Sequence, residues 1–396
     1  MRKSLITTAV LVALAAPTMV FAEDAAPAAP AGPTLMQGMN FPLSNNPTPL
    51  SIDAGPIGKV YVSGALSGIA LTQSNRVSTT AFADGSEKSQ YGDLSNAQVI
   101  LQKVDGLVQF YVQGGSYSIP ALGTAYARSS KQTDKSFGNI PIAFVKLAPT
   151  DNFSIQAGKL PTLIGTEYAF TFQNTNIERG LLWNQENVIS RGVQANLTLG
   201  PVALSGAVTD GYYTKDYKYF TGLATYTIND SNTIAIAAGG NPGGTKAADI
   251  DTKMAGNVVS VNQANSQQYN LYYKNVTGPW TFQPILQYIK VNKDKIDGTD
   301  NGHTIGGSLI VNYDFNENYS LAARGEYVKE TGTAQLLALL PAPKAWTLTV
   351  TPTYRNKSFF ARADLSYVKV SDTKPFGPTA NEDTQARAVG EVGFLF

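Results

Sequence analysis

The chain has 396 residues, with 30 Lys+Arg against 29 Asp+Glu, a single histidine and no cysteine. That balance carries no polyanion-binding signature, so nucleic acid is not an expected partner, and the missing thiols exclude a disulfide scaffold and thiolate metal sites. Charged residues make up only 15% while 36 glycines and 20 tyrosines are present, as many strands joined by turns would give.

Residues 1–22, MRKSLITTAVLVALAAPTMVFA, open on Arg2 and Lys3. An apolar run from Leu5 to Ala16 follows, and the stretch ends in Val20-Phe21-Ala22. A charged start, a short apolar core and a small-residue end predict a secretory signal peptide, with the mature chain starting at Glu23. Residues 23–50 are rich in Ala and Pro without periodicity and read as a flexible leader. Beyond Ala22 nothing approaches the ~20 apolar residues of a spanning helix. The exported chain is therefore soluble or a membrane β-barrel.

From residue 51 to 396, short turn signals alternate with long polar stretches. The short ones are Asp105-Gly106, 149–152, Gly200-Pro201, 229–232, Gly278-Pro279, 316–318 and Asn356-Lys357. The long ones include 74–93, 166–187, 242–265, 294–302, 331–344 and 371–384. Asp-Gly and Asn-rich pairs supply the positive φ of tight hairpins. Short turns on one side and long loops on the other are the layout of an outer-membrane barrel. The spacing predicts an all-β, antiparallel, up-and-down transmembrane barrel of about 16 strands, with periplasmic turns and extracellular loops.

The segments between these signals alternate as barrel strands must. In AWTLTVTPTYR, Trp346, Leu348, Val350 and Tyr354 share one face while threonines and Arg355 share the other. WTFQPILQY and HTIGGSLIVNY behave likewise, and aromatic residues recur at the ends of the apolar faces, where membrane girdles sit. The final stretch, ARAVGEVGFLF, puts Phe394 and Phe396 on the apolar face and Arg387 and Glu391 on the other.

Residues 158–213 resemble the outer-membrane β-barrel porins called OmpL-like. The resemblance is carried by Gly158-Lys159, the corner from Pro161 to Gly165, Arg179-Gly180-Leu181-Leu182-Trp183, Arg191-Gly192-Val193 and Asp210-Gly211-Tyr212. It implies a porin for small hydrophilic solutes in the outer membrane of a Gram-negative bacterium. Phe396, with Phe394, is then the signal read by the barrel-assembly machinery. Outer-membrane lipid is the surrounding partner and a homotrimer is a possible assembly. One position departs from the pattern. Parity from Phe153, Ile155 and Ala157 aims Lys159 at lipid, and a bulge before Pro161 would be needed to turn it inward.

Parity aims Arg324 with Glu326, Arg362 with Asp364, and Arg387 with Glu391 into the lumen, together with Lys274 and Arg355. A mid-depth charge facing lipid would cost about 2–4 kcal/mol. Such charges either line a pore or pair between strands, and the sequence leaves both open. Loop 166–187, the third long loop, carries Glu167, Glu178, Arg179 and Glu186 among aromatics. By analogy with general porins it folds inward as a constriction facing the arginines across water, the alternative being an external loop.

Enzymatic readings find little footing, and no cofactor or metal is expected. His303 opens a strand at the rim without a triad partner. Asp294, Asp297 and Asp300 lack the closing Glu of a calcium loop. Ser371 to Lys374 fits S-x-x-K but stands without its companion motifs. A passive diffusion porin leads, ahead of a substrate-selective channel of the same fold or a non-conducting adhesin or structural barrel.

Overall fold

A sequence that alternates small or apolar with polar residues over eight to fifteen positions can bury its backbone polar groups in a membrane only by closing on itself. In the computed structural model it does. Residues 43, 50–77, 88–214, 216–251, 259–337, 340, 342–377 and 379–396 are described. The predicted signal peptide, and the leader apart from Leu43 and Leu50, lie outside them.

A short strand β1 (Leu50–Asp53) precedes β2 (Lys59–Gln73), β3 (Gln90–Lys103), β4 (Val108–Tyr117), β5 (Ile142–Thr150), β6 (Phe153–Pro161), β7 (Ile189–Leu199) and β8 (Val202–Thr209). These are followed by β9 (Tyr219–Asn229), β10 (Asn232–Gly240), β11 (Gln267–Thr277), β12 (Trp280–Val291) and β13 (Gly302–Asp314). The chain ends with β14 (Tyr319–Gly332), β15 (Lys344–Asn356), β16 (Phe359–Ser371) and β17 (Thr384–Leu395). From β2 onward each strand pairs antiparallel with the next, and β17 returns to β2 from Arg387↔Gln73 to Leu395↔Ala65. The result is a closed antiparallel barrel of 16 strands. β2 extends past the end of β17, and β1 pairs with that remaining stretch, Leu50↔Val62 to Asp53↔Lys59.

All seven predicted short turns separate successive strands, from β3/β4 to β15/β16. Two of them place glycine in the left-handed region directly before proline, Gly200 at φ 57° and Gly278 at φ 55°. At Asn356-Lys357 it is the lysine that takes the left-handed conformation, with φ 52°. The other end of the barrel carries the long connections. Two of these, 118–141 and 210–218, were not among the polar stretches picked out above.

The outer wall is apolar and belted by rings. Near the turn end Trp280 packs against Tyr313 at 4.5 Å between ring centroids, Tyr319 against Tyr354 at 5.0 Å, and Phe359 against Phe394 at 5.4 Å. Near the loop end Trp346 meets Tyr367 at 5.4 Å, and His303 lies 5.8 Å from Tyr288. His303 thus belongs to the loop-end belt. Inside, several loops pack together, burying Val77, Leu122, Leu181, Leu182, Leu337 and Phe376 in one apolar cluster.

Lys159 keeps the outward parity, and its pairing with Ala143 and Arg191 runs without a bulge at that point. Its long stem solves the problem instead. The ammonium donates to the carbonyls of Phe137 at 2.5 Å and Ile140 at 2.7 Å, both in a long connection beyond the strand end.

Candidate functional site

Strand β6 ends at Pro161, and the third long connection, 162–188, turns into the lumen. Its entry is pinned where the Thr162 N–H donates 2.9 Å to the carbonyl of Val188. At Gly165 (φ 86°) a side chain is excluded, since a Cβ there would stand 1.9 Å from Glu186 Oε2. The Gly165 N–H donates 2.6 Å to Tyr272 Oη on the barrel wall.

Three arginines tie this loop to one side of the barrel. Arg362 on β16 donates from Nε and Nη2 to Glu391 Oε2 at 2.9 and 2.7 Å. It also reaches the carbonyls of Asn174 at 2.7 Å and Thr171 at 2.6 Å in the loop. Glu391 in turn accepts from Thr171 Oγ1 at 2.6 Å. Arg324 on β14 donates from Nη1 to Glu167 and, at 2.8 Å, to the Glu178 carbonyl. Its Nε stands 3.4 Å from Glu326, an ion-pair contact without hydrogen-bond alignment. Arg387 on β17 donates from Nη1 to Glu178 Oε1 at 3.0 Å and to the Ala121 carbonyl at 2.8 Å.

Strand carboxylates hold the loop backbone from the same side. Glu326 accepts from the Leu181 N–H at 2.9 Å, and Asp364 from the Glu178 N–H at 2.8 Å. Ser366 Oγ donates to Glu178 Oε2 at 2.8 Å. Apart from the partly exposed Glu167, each of these charges is buried, and Arg324, Glu178 and Asp364, like Arg179 of the loop, are 0% exposed. Ions so far from water are tolerable only when paired and hydrogen-bonded, which is the arrangement found.

The sequence reading set the loop acids opposite the arginines across water. In the structure Glu167 and Glu178 touch Arg324 and Arg387 directly. Arg179 stays within the loop, donating to the carbonyls of Tyr168 (3.0 Å) and Ile177, and burial lowers its guanidinium to about 10. Among the described residues Glu186 meets no arginine. Its Oε1 accepts from Gln287 Nε2 at 2.6 Å, and burial pushes its carboxyl well above the ordinary range, helped by the nearby Glu167 and Glu326. Glu167 is raised as well, burial outweighing the opposing pull of Arg324.

Below the loop, toward the turn end, lies a cavity of about 270 Å³. Glu167, Gln173 and Asn174 of the loop line it together with Lys274, Arg355 and Leu43. Arg355 pairs with Asp314 at 2.9 Å. Leu43 is only 3% exposed, and nothing in its surrounding sequence marks it for a lumen. The loop carbonyls of Thr171, Asn174 and Glu178 were also missed, because a backbone acceptor leaves no trace in residue type.

Phe394 and Phe396 face outward, half exposed, at the closing seam. Phe396 exchanges two backbone hydrogen bonds with Gly64, at 2.8 and 3.1 Å. Asp294 caps its own turn, accepting from the Ile296 N–H at 2.7 Å. Among the described residues no group of acidic or histidine side chains is placed to hold a metal ion.

A family model described as "Putative beta-barrel porin-2, OmpL-like" matches residues 59–396. No curated protein matches the chain. Among solved structures, the fold is similar to the outer membrane channel DcaP of Acinetobacter baumannii, with a TM-score of 0.56 at 11% identity over 85% of this chain and 97% of that one. It is similar to outer-membrane expressed OmpT of Vibrio cholerae, with a TM-score of 0.55 at 11% identity over 88% and 100%. Salmonella typhi OmpF, solved in complex with daunomycin, gives a TM-score of 0.55 at 13% identity over 88% and 100%. At these identities the likeness is one of fold.

Proposed function

Because the chain belongs to the OmpL-like β-barrel porin family and is an outer-membrane protein of a Gram-negative bacterium, we propose that it is a passive diffusion porin for small hydrophilic solutes, narrowed by its third loop. The observation that carries the narrowing is the attachment of loop 162–188 to Arg324, Arg362 and Arg387, inside the barrel rather than above it. The arginine wall acts first as a mooring. A guanidinium presents up to five donors in a fixed fork, so one residue can hold a strand carboxylate and loop carbonyls at once. Glu326, Asp364 and Glu391 complete the mooring from the strands.

Phe394 and Phe396 serve assembly, as the aromatic end read by the barrel-assembly machinery, and the outer belts meet lipid. A second reading, a barrel without an open pore, is favoured by the apolar cluster of Val77, Leu122, Leu337 and Phe376 from separate long connections. Planar-bilayer recording of the purified protein separates the two. Stepwise, ohmic single-channel currents support the porin, and a silent but folded protein supports the closed barrel.

A further inference from the structure

The arginines that drew attention in the sequence are closed off from a passing solute by burial and by their partners. Arg324, Arg362 and Arg387 are each 5% exposed or less, and each meets a carboxylate together with at least one loop carbonyl. A buried and neutralised ion pair projects little field into neighbouring water.

The facing part of the inner wall has a different chemistry. From β4 to β12 its polar residues toward the turn end are amides and hydroxyls, among them Gln156, Asn196, Thr225 and Gln283. Two lysines stand among them. Lys146 on β5 shares the face of buried Ile142 and Phe144, opposite the outward Val145 and Leu147. In the strand register it lies between Gln109 of β4 and Gln156 of β6. Lys274 on β11 shares the face of buried Asn270 and Tyr272, pairs in register with Thr233, and lines the 270 Å³ cavity.

No carboxylate or hydrogen-bond acceptor engages either ammonium among the described residues, in contrast to Arg355, which Asp314 neutralises. Lys274 is exposed and Lys146 half-buried. Both lie within four residues of the turn end of their strands. Higher on the same wall, Tyr219 Oη, Gln268 Oε1 and both side-chain polar atoms of Asn270 are buried without a partner among the described residues. Unsatisfied groups of that kind are uncommon in a wall built only for stability.

We infer that Lys146 and Lys274 set the ion preference of the channel, favouring small anions, and that solutes cross along the amide-and-hydroxyl face of β5–β12 while the arginines act as ties. This rests on the porin reading. Two unpaired cations in a lumen with low-dielectric walls focus a positive potential along the water path, screened only over ~8 Å at physiological salt. Neutral polar solutes pass the same face by exchanging hydrogen bonds with its amides and hydroxyls.

The test is the reversal potential of the purified protein in a potassium chloride gradient. The wild-type channel is expected to prefer chloride. Lys146→Glu with Lys274→Glu is expected to reverse the sign, and Lys146→Gln with Lys274→Gln to abolish most of the preference, which covers the case in which the glutamates impair folding. Channels that conduct but keep the wild-type reversal potential in both variants overturn the assignment while leaving the porin intact. A folded wild type that carries no current overturns the porin reading itself, and this inference with it.

Discussion

Glu178, in the third loop, holds its carboxylate 3.0 Å from the Arg387 guanidinium on the strand that closes the barrel. The same carboxylate accepts from Ser366, and its own N–H reaches Asp364. One loop residue therefore joins the inner faces of two adjacent strands, β16 and β17. The porin family supplies the barrel; this ion network is what fixes the loop inside it.

Removing one partner of such a network leaves the other buried and uncompensated. Glu391→Ala strips Arg362 of its carboxylate while the guanidinium stays enclosed, a change expected to cost about 3–5 kcal/mol. Because Arg362 also holds the carbonyls of Asn174 and Thr171, the loss is expected to loosen the loop before the barrel. Limited proteolysis of the detergent-solubilised variant should cut within 166–187 under conditions that spare the wild type. Equal protection in both would show that Glu391 contributes little to the mooring.

The seam at the chain end makes a separate prediction. Gly64 exchanges backbone hydrogen bonds with Phe396, and a Cβ at Gly64 would stand 2.5 Å from the phenylalanine ring. Deleting Phe396 removes both of these hydrogen bonds and leaves the Gly64 N–H and C=O without their partners at the closing seam. Outer-membrane fractions should hold less of the heat-modifiable barrel, and Gly64→Val should reproduce much of the loss. Normal amounts of folded protein in both variants would remove Phe396 from assembly.

How far the sequence reached follows from which signals are local. The seven short turns were legible because their geometry demands particular residues, as Gly200-Pro201 and Gly278-Pro279 show. The inward aim of Arg324, Arg362 and Arg387 followed from strand parity alone. Their partners were only half legible, since Glu167 and Glu178 are side chains but the carbonyls of Thr171 and Asn174 belong to no residue type. Lys159 misled in an instructive way. Parity placed it correctly, but the expected bulge was unnecessary once its ammonium could reach the carbonyls of Phe137 and Ile140. Lys146 carried the same parity signal, in IAFVKL, and was overlooked beside the repeated Arg-x-acid segments.

Topology can be checked on intact cells. An epitope at 250 or 377, in the long connections, should be labelled from outside, whereas one at 230 or 317, in short turns, should be labelled only after the outer membrane is opened. Labelling of 230 or 317 on intact cells would invert the barrel.

Acidity should act on the loop through Glu186. Its carboxyl, ordinarily near 4.5, is raised in the folded protein, mainly by burial. The folded state therefore binds this proton more tightly than the unfolded chain does, and unfolding free energy falls as pH rises. The contribution is whole below about 4.5 and is lost as pH climbs through the raised value. Thermal unfolding in detergent should move to lower temperature over that range. Glu186→Gln keeps a polar side chain beside Gln287 without the titrating proton, and should flatten the dependence. A slope unchanged by that substitution would assign the effect to Glu167, which is raised in the same direction.

The strongest test of the proposed constriction removes the loop. Residues 172–182 contain the carbonyl of Asn174 held by Arg362, the side chain of Glu178 held by Arg387, and the N–H of Leu181 held by Glu326. The strands contribute their own pairs, Arg362 with Glu391 and Arg324 with Glu326, so the barrel retains part of its charge balance without the segment. Backbone pairing from β2 round to β17 does not pass through the loop, and the deletion should therefore leave the heat-modifiable barrel in place. With the ceiling of the 270 Å³ cavity gone, single-channel conductance should rise by about twofold or more, as expected when a 16-stranded barrel wide enough for an aqueous channel loses its obstruction. Arg324→Gln with Arg362→Gln should move conductance in the same direction but less far, because Glu178 remains held by Arg387 and Ser366. Unchanged conductance in a folded deletion variant would mean that the water path avoids the third loop, and the narrowing would then have to be sought among the other long connections.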